Sequence, residues 1–277
     1  MATAFIRYAV RSDKGCVRKN NEDNLFFCGR HLVSGDLIHP FSAEGECALP
    51  AVFGVFDGVG GEQYGEWASM IAAQSLADCH LQISSEPASA FEKIMKSYTS
   101  TVNCKIAKAA SAQGARMGTT AAVAIISQNG ISAYNIGDSR IYMYNCGKLR
   151  QISVDHTLAR QKIELKEYTV QEARRSRDWG KLTACLGIPK INGEFAEMTP
   201  LPTIPVKGRI RLLLCSDGVS DMVPDNVIAG ILRFGSPGQA GKKLMSEVLN
   251  RGGQDNASFI IADITSGQTL FSRLIHT

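Results

Sequence analysis

Apolar residues in this chain fall in short runs separated by glycine, asparagine and aspartate. Residues 5–10 read as a strand, and 25–27 as the start of a second strand after a polar loop. Residues 51–57 (Ala-Val-Phe-Gly-Val-Phe-Asp) and 209–217 (Arg-Ile-Arg-Leu-Leu-Leu-Cys-Ser-Asp) are nearly continuous apolar runs, the pattern of buried strands. Each ends in Asp-Gly. Alone, that dipeptide reads as a turn. Twice over, it suggests two strands delivering carboxylates to one place. Residues 29–50, with Gly29, Gly35, Pro40, Gly45 and Pro50, read as a long irregular excursion. Helical character starts near Glu62 and runs to His80. A clearer helix spans about 87–113, where Phe91, Ile94, Met95, Tyr98, Val102 and Ile106 recur at three- and four-residue steps and predict core packing.

Beyond residue 118 the texture changes to hairpins. Predicted strands at 119–126, 130–136, 140–145 and 149–153 are separated by Gln-Asn-Gly, Gly-Asp-Ser and Cys-Gly-Lys turns. Such a series implies an antiparallel sheet and not alternating βαβ units. Residues 155–179 are polar and partly helical. Helices follow at 224–234, with Pro224 in the first turn, and at 239–249, closed by Gly252-Gly253; the last strand is 258–264. With no repeat, low-complexity segment or linker in 277 residues, one domain over 1–277 is the simplest organisation, with a short tail after 265.

Composition narrows the class. At 44% hydrophobic and 20% charged residues the chain reads as a soluble globular protein. A net charge of +4 without a basic block predicts no nucleic-acid or membrane partner. Met1 to Arg7 lack a signal-peptide layout, and no run is long enough to span a bilayer, so a cytoplasmic protein is expected. The eight cysteines stand singly, without Cys-x-x-Cys pairs or a histidine pattern. That predicts reduced, half-buried thiols and neither a zinc site nor a redox pair.

The candidate chemistry is acidic. Glu22, Asp23, Asp57, Asp138, Asp217 and Asp255 all sit at strand ends or in Gly- or Asn-rich turns. Carboxylates converging on one point repel unless cations lie among them. An all-oxygen donor set selects hard ions, hence Mg²⁺ or Mn²⁺. Two such ions about 3.5–4 Å apart can share a water and make it a hydroxide nucleophile at neutral pH. Arg18, just upstream of Glu22 and Asp23, has the planar guanidinium that binds phosphate oxygens in pairs. Arginine beside a carboxylate-held metal pair is the equipment of a metal-dependent phosphatase.

The chain resembles the metal-dependent protein phosphatase family, also called the protein phosphatase 2C family. The resemblance rests on Val17-Arg18-Lys19-Asn20-Asn21-Glu22-Asp23, Phe56-Asp57-Gly58-Val59-Gly60-Gly61, Gly118-Thr119-Thr120, Asn135-Ile136-Gly137-Asp138-Ser139-Arg140, Asp155-His156-Thr157, Leu182-Thr183-Ala184-Cys185-Leu186-Gly187, Cys215-Ser216-Asp217-Gly218-Val219-Ser220-Asp221 and Gly253-Gln254-Asp255-Asn256. These segments occur in family order over nearly the whole chain. Its compact length resembles the bacterial branch.

The resemblance implies an α+β fold, a four-layer αββα sandwich of two antiparallel sheets flanked by helices. It implies hydrolysis of phosphoserine and phosphothreonine in proteins by a metal-bridging hydroxide. Asp57 would bridge two Mn²⁺ or Mg²⁺ ions, the Gly58 carbonyl would ligate the second, Asp217 and Asp255 would complete the first site, and Glu22 would hold the second largely through water. Asp23 and Asn256 would orient waters and ligands. Asp138 with Asp217 would hold a possible third ion, and Arg18 the substrate phosphate. Residues 157–181 would form a mobile flap, whose basic residues suit a phosphopeptide or a solvated helix face equally.

The implied partners are phosphorylated proteins, including a cognate Ser/Thr kinase or its targets, met by a monomer. Val59 departs from the histidine of many eukaryotic members, and Ala184 from the arginine of many bacterial ones. His156 is expected to be structural. No cysteine has the Cys-x5-Arg spacing of thiol phosphatases, and five histidines are few for a histidine-bound metal pair. The remaining alternative is a catalytically inactive family member acting as a phosphoprotein-binding or regulatory module.

Overall fold

The computed structural model describes residues 5–60 and 64–265. Gly61, the predicted helix start near Glu62, residues 1–4 and the tail after 265 lie outside the described residues. In chain order, β1 (Phe5–Asp13), β2 (Asp23–Phe27), β3 (Arg30–His31) and β4 (Phe41–Ala48) precede β5 (Ala51–Val59). Helices α1 (Gly65–Ser85) and α2 (Phe91–Gln113) follow, then β6 (Gly118–Thr119), β7 (Ala121–Ser127), β8 (Gly130–Ile136), β9 (Arg140–Asn145) and β10 (Lys148–Gln151). The rest is α3 (Leu158–Glu164), α4 (Val170–Arg175), β11 (Thr199–Pro200), β12 (Arg209–Cys215), α5 (Asp217–Ser220), α6 (Asp225–Leu232), α7 (Pro237–Asn250) and β13 (Ala257–Thr265).

Two sheets form, one ordered β10-β9-β12-β13-β1-β4 and the other β11-β8-β7-β5-β2-β3, with β6 on β5. Neighbouring strands in both run antiparallel, as the hairpin spacing predicted. Three apolar layers separate four structural ones. Phe53, Val55, Leu212, Leu214, Ile260 and Ala262 fill the space between the sheets. Val52 and Phe56 point the other way, under α1 and α2 with the stripe Phe91, Ile94, Met95, Tyr98, Val102 and Ile106. Leu213, Cys215, Phe259 and Ile261 face α6 and α7. This is the αββα sandwich. It explains the continuous apolar runs of β5 and β12: each strand has a core on both faces, so both parities are apolar.

The reading of 29–50 as irregular is corrected, because β4 pairs with β1 over its full length. As an edge strand it buries no residue completely; Phe41, Ala43, Gly45 and Cys47 are half-buried and alternate with exposed neighbours. The weak apolar signal comes from that position. A Cβ on Gly45 would stand 2.7 Å from the Tyr8 hydroxyl and 2.9 Å from its ring, so glycine lets Tyr8 lie across β4. Pro224 caps α6 from outside and not from its first turn. Helix α7 begins at Pro237, behind a capping box in which Ser236 and Gln239 exchange hydrogen bonds, two residues earlier than expected.

Candidate metal centre

The acidic residues meet at one rim of the sandwich. β2 begins where β5 ends, and their register sets Asp23 directly opposite Asp57. Asp57 shares its parity with Phe53 and Val55, so it points into the gap between the sheets where the apolar filling stops. β12 ends at the same rim, and Asp217 opens α5 two residues past Cys215. Asp255 lies two residues before β13, the antiparallel partner of β12, and Asp138 lies in the β8–β9 turn. Asp57, Asp138, Asp217 and Asp255, together with Arg18, Glu22, Gly58, Val59 and Asn256, line one cleft of about 880 Å³, and Asp23 is fully buried.

Backbone anchors hold the carboxylates in place. The Asp57 carbonyl accepts from the Thr120 N–H (2.8 Å) and the Thr119 hydroxyl (2.9 Å), and the Asp57 N–H donates to Thr120 Oγ1 (3.1 Å). Gly118-Thr119-Thr120 is thus the clasp of the Asp57 turn, a role that sequence reading did not assign. Asn256 clasps the 14–22 loop. Its Oδ1 accepts from the Glu22 N–H (2.8 Å), and its Nδ2 donates to the carbonyls of Lys14 (3.0 Å) and Asn20 (2.9 Å). The Ser69 hydroxyl donates to the Glu22 carbonyl at 2.6 Å. His156 Nδ1 accepts from the Gly137 N–H at 3.1 Å, which places its proton on Nε2 and ties it to the turn that carries Asp138. Val59 lines the cleft, whereas Ala184 packs against the α1–α2 core.

Burial and mutual repulsion push these carboxyls up. Burial, then Asp217, Asp23 and Asp138, hold Asp57 well above the usual range. Asp138 is raised likewise by burial and Asp217. Asp217 rises to about 6 through burial, Asp221 and Asp255, and Asp23 to about 7, chiefly through burial. Glu22 is raised by burial and by Glu66. Asp23 Oδ2 accepts from the Ser216 hydroxyl (2.8 Å), while its fully buried Oδ1 has no partner among the described residues.

A cation among Asp57, Asp138 and Asp217 would relieve their mutual repulsion. Glu22 Oε2 and the Gly58 carbonyl also converge: both approach the point where a Cβ on Gly65 would stand, the carbonyl at 2.9 Å. Among the described residues no three His, Cys, Asp or Glu side chains are gathered at ligand distance, and Asp255 is turned onto Arg18 at 2.6 Å. A donor set of a few carboxylates and a carbonyl fits Mg²⁺-like ions, which keep several waters.

The predicted flap packs beside the cleft. Trp179 donates its indole N–H to Asp221 at 2.9 Å, and Arg174 and Arg140 lie over its ring. Lys162 and Lys181 both pair with Asp178. A second cavity of about 380 Å³ separates flap from body and shares Asp138 and Asp217 with the cleft.

The protein phosphatase 2C family model matches residues 32–251. The chain belongs to the protein phosphatase 2C family. The match takes in Asp57, Asp138 and Asp217, while Arg18, Glu22 and Asp255 lie outside it. As a family member the chain is 29% identical over 273 residues to "Serine/threonine protein phosphatase PstP" of Mycobacterium tuberculosis, covering 96% of this chain and 47% of that one. It therefore spans about half the length of the mycobacterial relatives. It is 28% identical over 257 residues to "Serine/threonine phosphatase stp" of Listeria welshimeri, covering 91% of this chain and 94% of the relative. The crystal structure of the catalytic domain of PstP in complex with two manganese ions superposes with a TM-score of 0.77 at 29% identity, over 95% of this chain and all of that one.

Proposed function

We propose that this chain hydrolyses phosphoserine and phosphothreonine in proteins with the help of two Mn²⁺ or Mg²⁺ ions. The observation that carries the reading is the meeting of Asp57, Asp138 and Asp217, all with raised pKa, in a cleft that also holds a half-exposed arginine. Relatives named Ser/Thr phosphatases along nearly the whole chain, one crystallised with two manganese ions, support it.

Asp57, Asp217 and Asp255 would hold one ion, and Asp57, the Gly58 carbonyl and Glu22 the other. Asp138 with Asp217 would hold a third. When bound, such ions supply positive charge for the phosphoryl oxygens and acidify water toward neutral pH. The protein's own groups do the rest. Asp57 would be ionised once a cation compensates its charge, and Asp23 and Asn256 keep the ligand loops in place. Arg18 has half its side chain in solvent and leaves Asp255 to take two phosphate oxygens. Val59 has no proton to give, so the leaving oxygen takes its proton from water in the cleft.

The chain acts as one domain with a flap at 157–181, a monomer in the cytoplasm, on phosphoproteins that include a Ser/Thr kinase or its targets. No helix among the described residues is long and apolar enough to cross a membrane.

The test uses Asp57→Asn and Asp217→Asn. Both should lose Mn²⁺-dependent hydrolysis of an aryl phosphate and a phosphothreonine peptide. In chelator both should melt at or above wild type, because a source of repulsion is gone. Wild type without metal-dependent turnover would refute the enzyme and leave the binding module.

A further inference from the structure

We infer that Cys28 and Cys47 form a peroxide-oxidisable, reversible disulfide that staples the two sheets together at the end away from the metal centre. Their Sγ atoms stand 2.6 Å apart, well inside ordinary sulfur–sulfur contact. Cys28 follows β2 in the two-residue turn to β3, at the edge of one sheet. Cys47 lies on β4, the edge strand of the other, paired with Ile6. Both are half-buried against the inter-sheet core, so a small oxidant reaches them while bulk solvent does not surround them. This departs from the expectation that the cysteines hold no redox pair. Their spacing of 19 residues carries no signal, and only the pairing of β4 with β1 brings them together.

The turn itself does not carry the inference. Cys28-Gly29 has both residues at positive φ, but so has Cys146-Gly147 between β9 and β10. Cys146 is exposed and hydrogen-bonds to its neighbour Asn145. It serves as an internal control: the same turn and the same residue, with no second thiol.

The chemistry closes with hydrogen peroxide as oxidant. The Cys28 S–H donates to Cys47 Sγ and holds the Cys47 thiol below its ordinary value. The Cys47 thiolate attacks a peroxide oxygen; the O–O bond breaks, hydroxide leaves and takes up a proton as water, and a sulfenic acid remains. Cys28 sulfur then attacks the Cys47 sulfur. The S–O bond breaks, the Cys28 proton leaves with the hydroxyl group as a second water, and the S–S bond forms. Two thiols lose two electrons, and one peroxide gains them.

The bond would close a loop of about 20 residues and tie down an edge strand that has a neighbour on one side only. Loop closure of that size should raise the melting temperature by about 5 °C in a chain this long. The metal centre should be unaffected, because β2 puts roughly 16 Å between Asp23 at the rim and Cys28.

The experiment treats the reduced full-length protein with hydrogen peroxide, quenches in acid, alkylates, digests and reads peptides by mass. The expected result is a Cys28–Cys47 linked peptide pair two hydrogens lighter than its reduced parts. It should come with a melting rise of about 5 °C that dithiothreitol reverses. Cys28→Ser and Cys47→Ser should each lose the rise, and Cys146→Ser should keep it. Recovery of Cys28 and Cys47 as alkylated thiols after Cys16 and Cys104 have oxidised overturns the inference. So does linkage of either to a different cysteine.

Discussion

Replacing Asn256 with alanine tests how the centre is held. Asn256 is buried, 6% exposed, and uses its amide three times: once as acceptor for the Glu22 N–H, twice as donor to the carbonyls of Lys14 and Asn20. Each such bond contributes about 0.5–1.5 kcal/mol net, and buried groups stripped of their partner add a desolvation penalty. The sum is about 3 kcal/mol, a fall in melting temperature of roughly 5–10 °C for a chain of this size. The loss is local, because all three bonds end on the loop that carries Arg18 and Glu22. Turnover of an aryl phosphate with Mn²⁺ should therefore drop and its KM rise, with Mn²⁺ affinity lowered in calorimetric titration. Asn256→Asp keeps the acceptor but turns two donors into a carboxylate facing two carbonyls, so it should be at least as damaging. If Asn256→Ala melts within about 1 °C of wild type and binds Mn²⁺ normally, the clasp is not what holds the loop.

Two further outcomes follow from the same geometry. Gly65→Ala puts a Cβ against Glu22 Oε2 and 2.9 Å from the Gly58 carbonyl. It should weaken Mn²⁺ binding at least tenfold in calorimetric titration with the fold retained by circular dichroism, and unchanged affinity would separate those two oxygens from the metal. Asp23 titrates near 7 in the folded protein and near 4 when unfolded, so between those values the native state holds a proton that the unfolded chain has released. Stability of chelator-treated protein should then fall as pH rises from about 4 to about 7, and Asp23→Asn should show a shallower fall in a melting series; identical slopes would refute the assignment.

The site was legible because its residue types carry their chemistry in short segments. Asp57-Gly58 and Asp217-Gly218 announce themselves as carboxylates at strand exits, and Arg18 with Glu22 as a charged loop. Asn256 was singled out through the resemblance as a positioning residue, but the partners of the clasps were not legible. Thr119, Thr120, Ser69 and Asn256 act through hydrogen bonds to backbone atoms 47 to 242 residues away, and a hydroxyl or amide has no pattern along the chain that names a distant partner. The Trp179–Asp221 contact was hidden for the same reason. Strand β4 was missed because an edge strand buries only half of each inward residue, which leaves Phe-Ser-Ala-Glu-Gly-Glu-Cys-Ala too polar to stand out.

By itself the sequence determined antiparallel pairing, through hairpin spacing, and the oxygen-rich, arginine-bearing chemistry of the rim, while the sandwich came as what the family resemblance implies. Tertiary structure decided which groups meet. The register of β2 on β5 brings Asp23 opposite Asp57, and antiparallel β12 and β13 bring Asp217 and Asp255 to the same end. The raised carboxyl pKa values belong to the folded state, through burial first and that convergence second, since an isolated aspartate titrates near 4. The meeting of Cys28 with Cys47 belongs there too, because it depends on two strand edges from different sheets and on nothing that neighbours in sequence can specify.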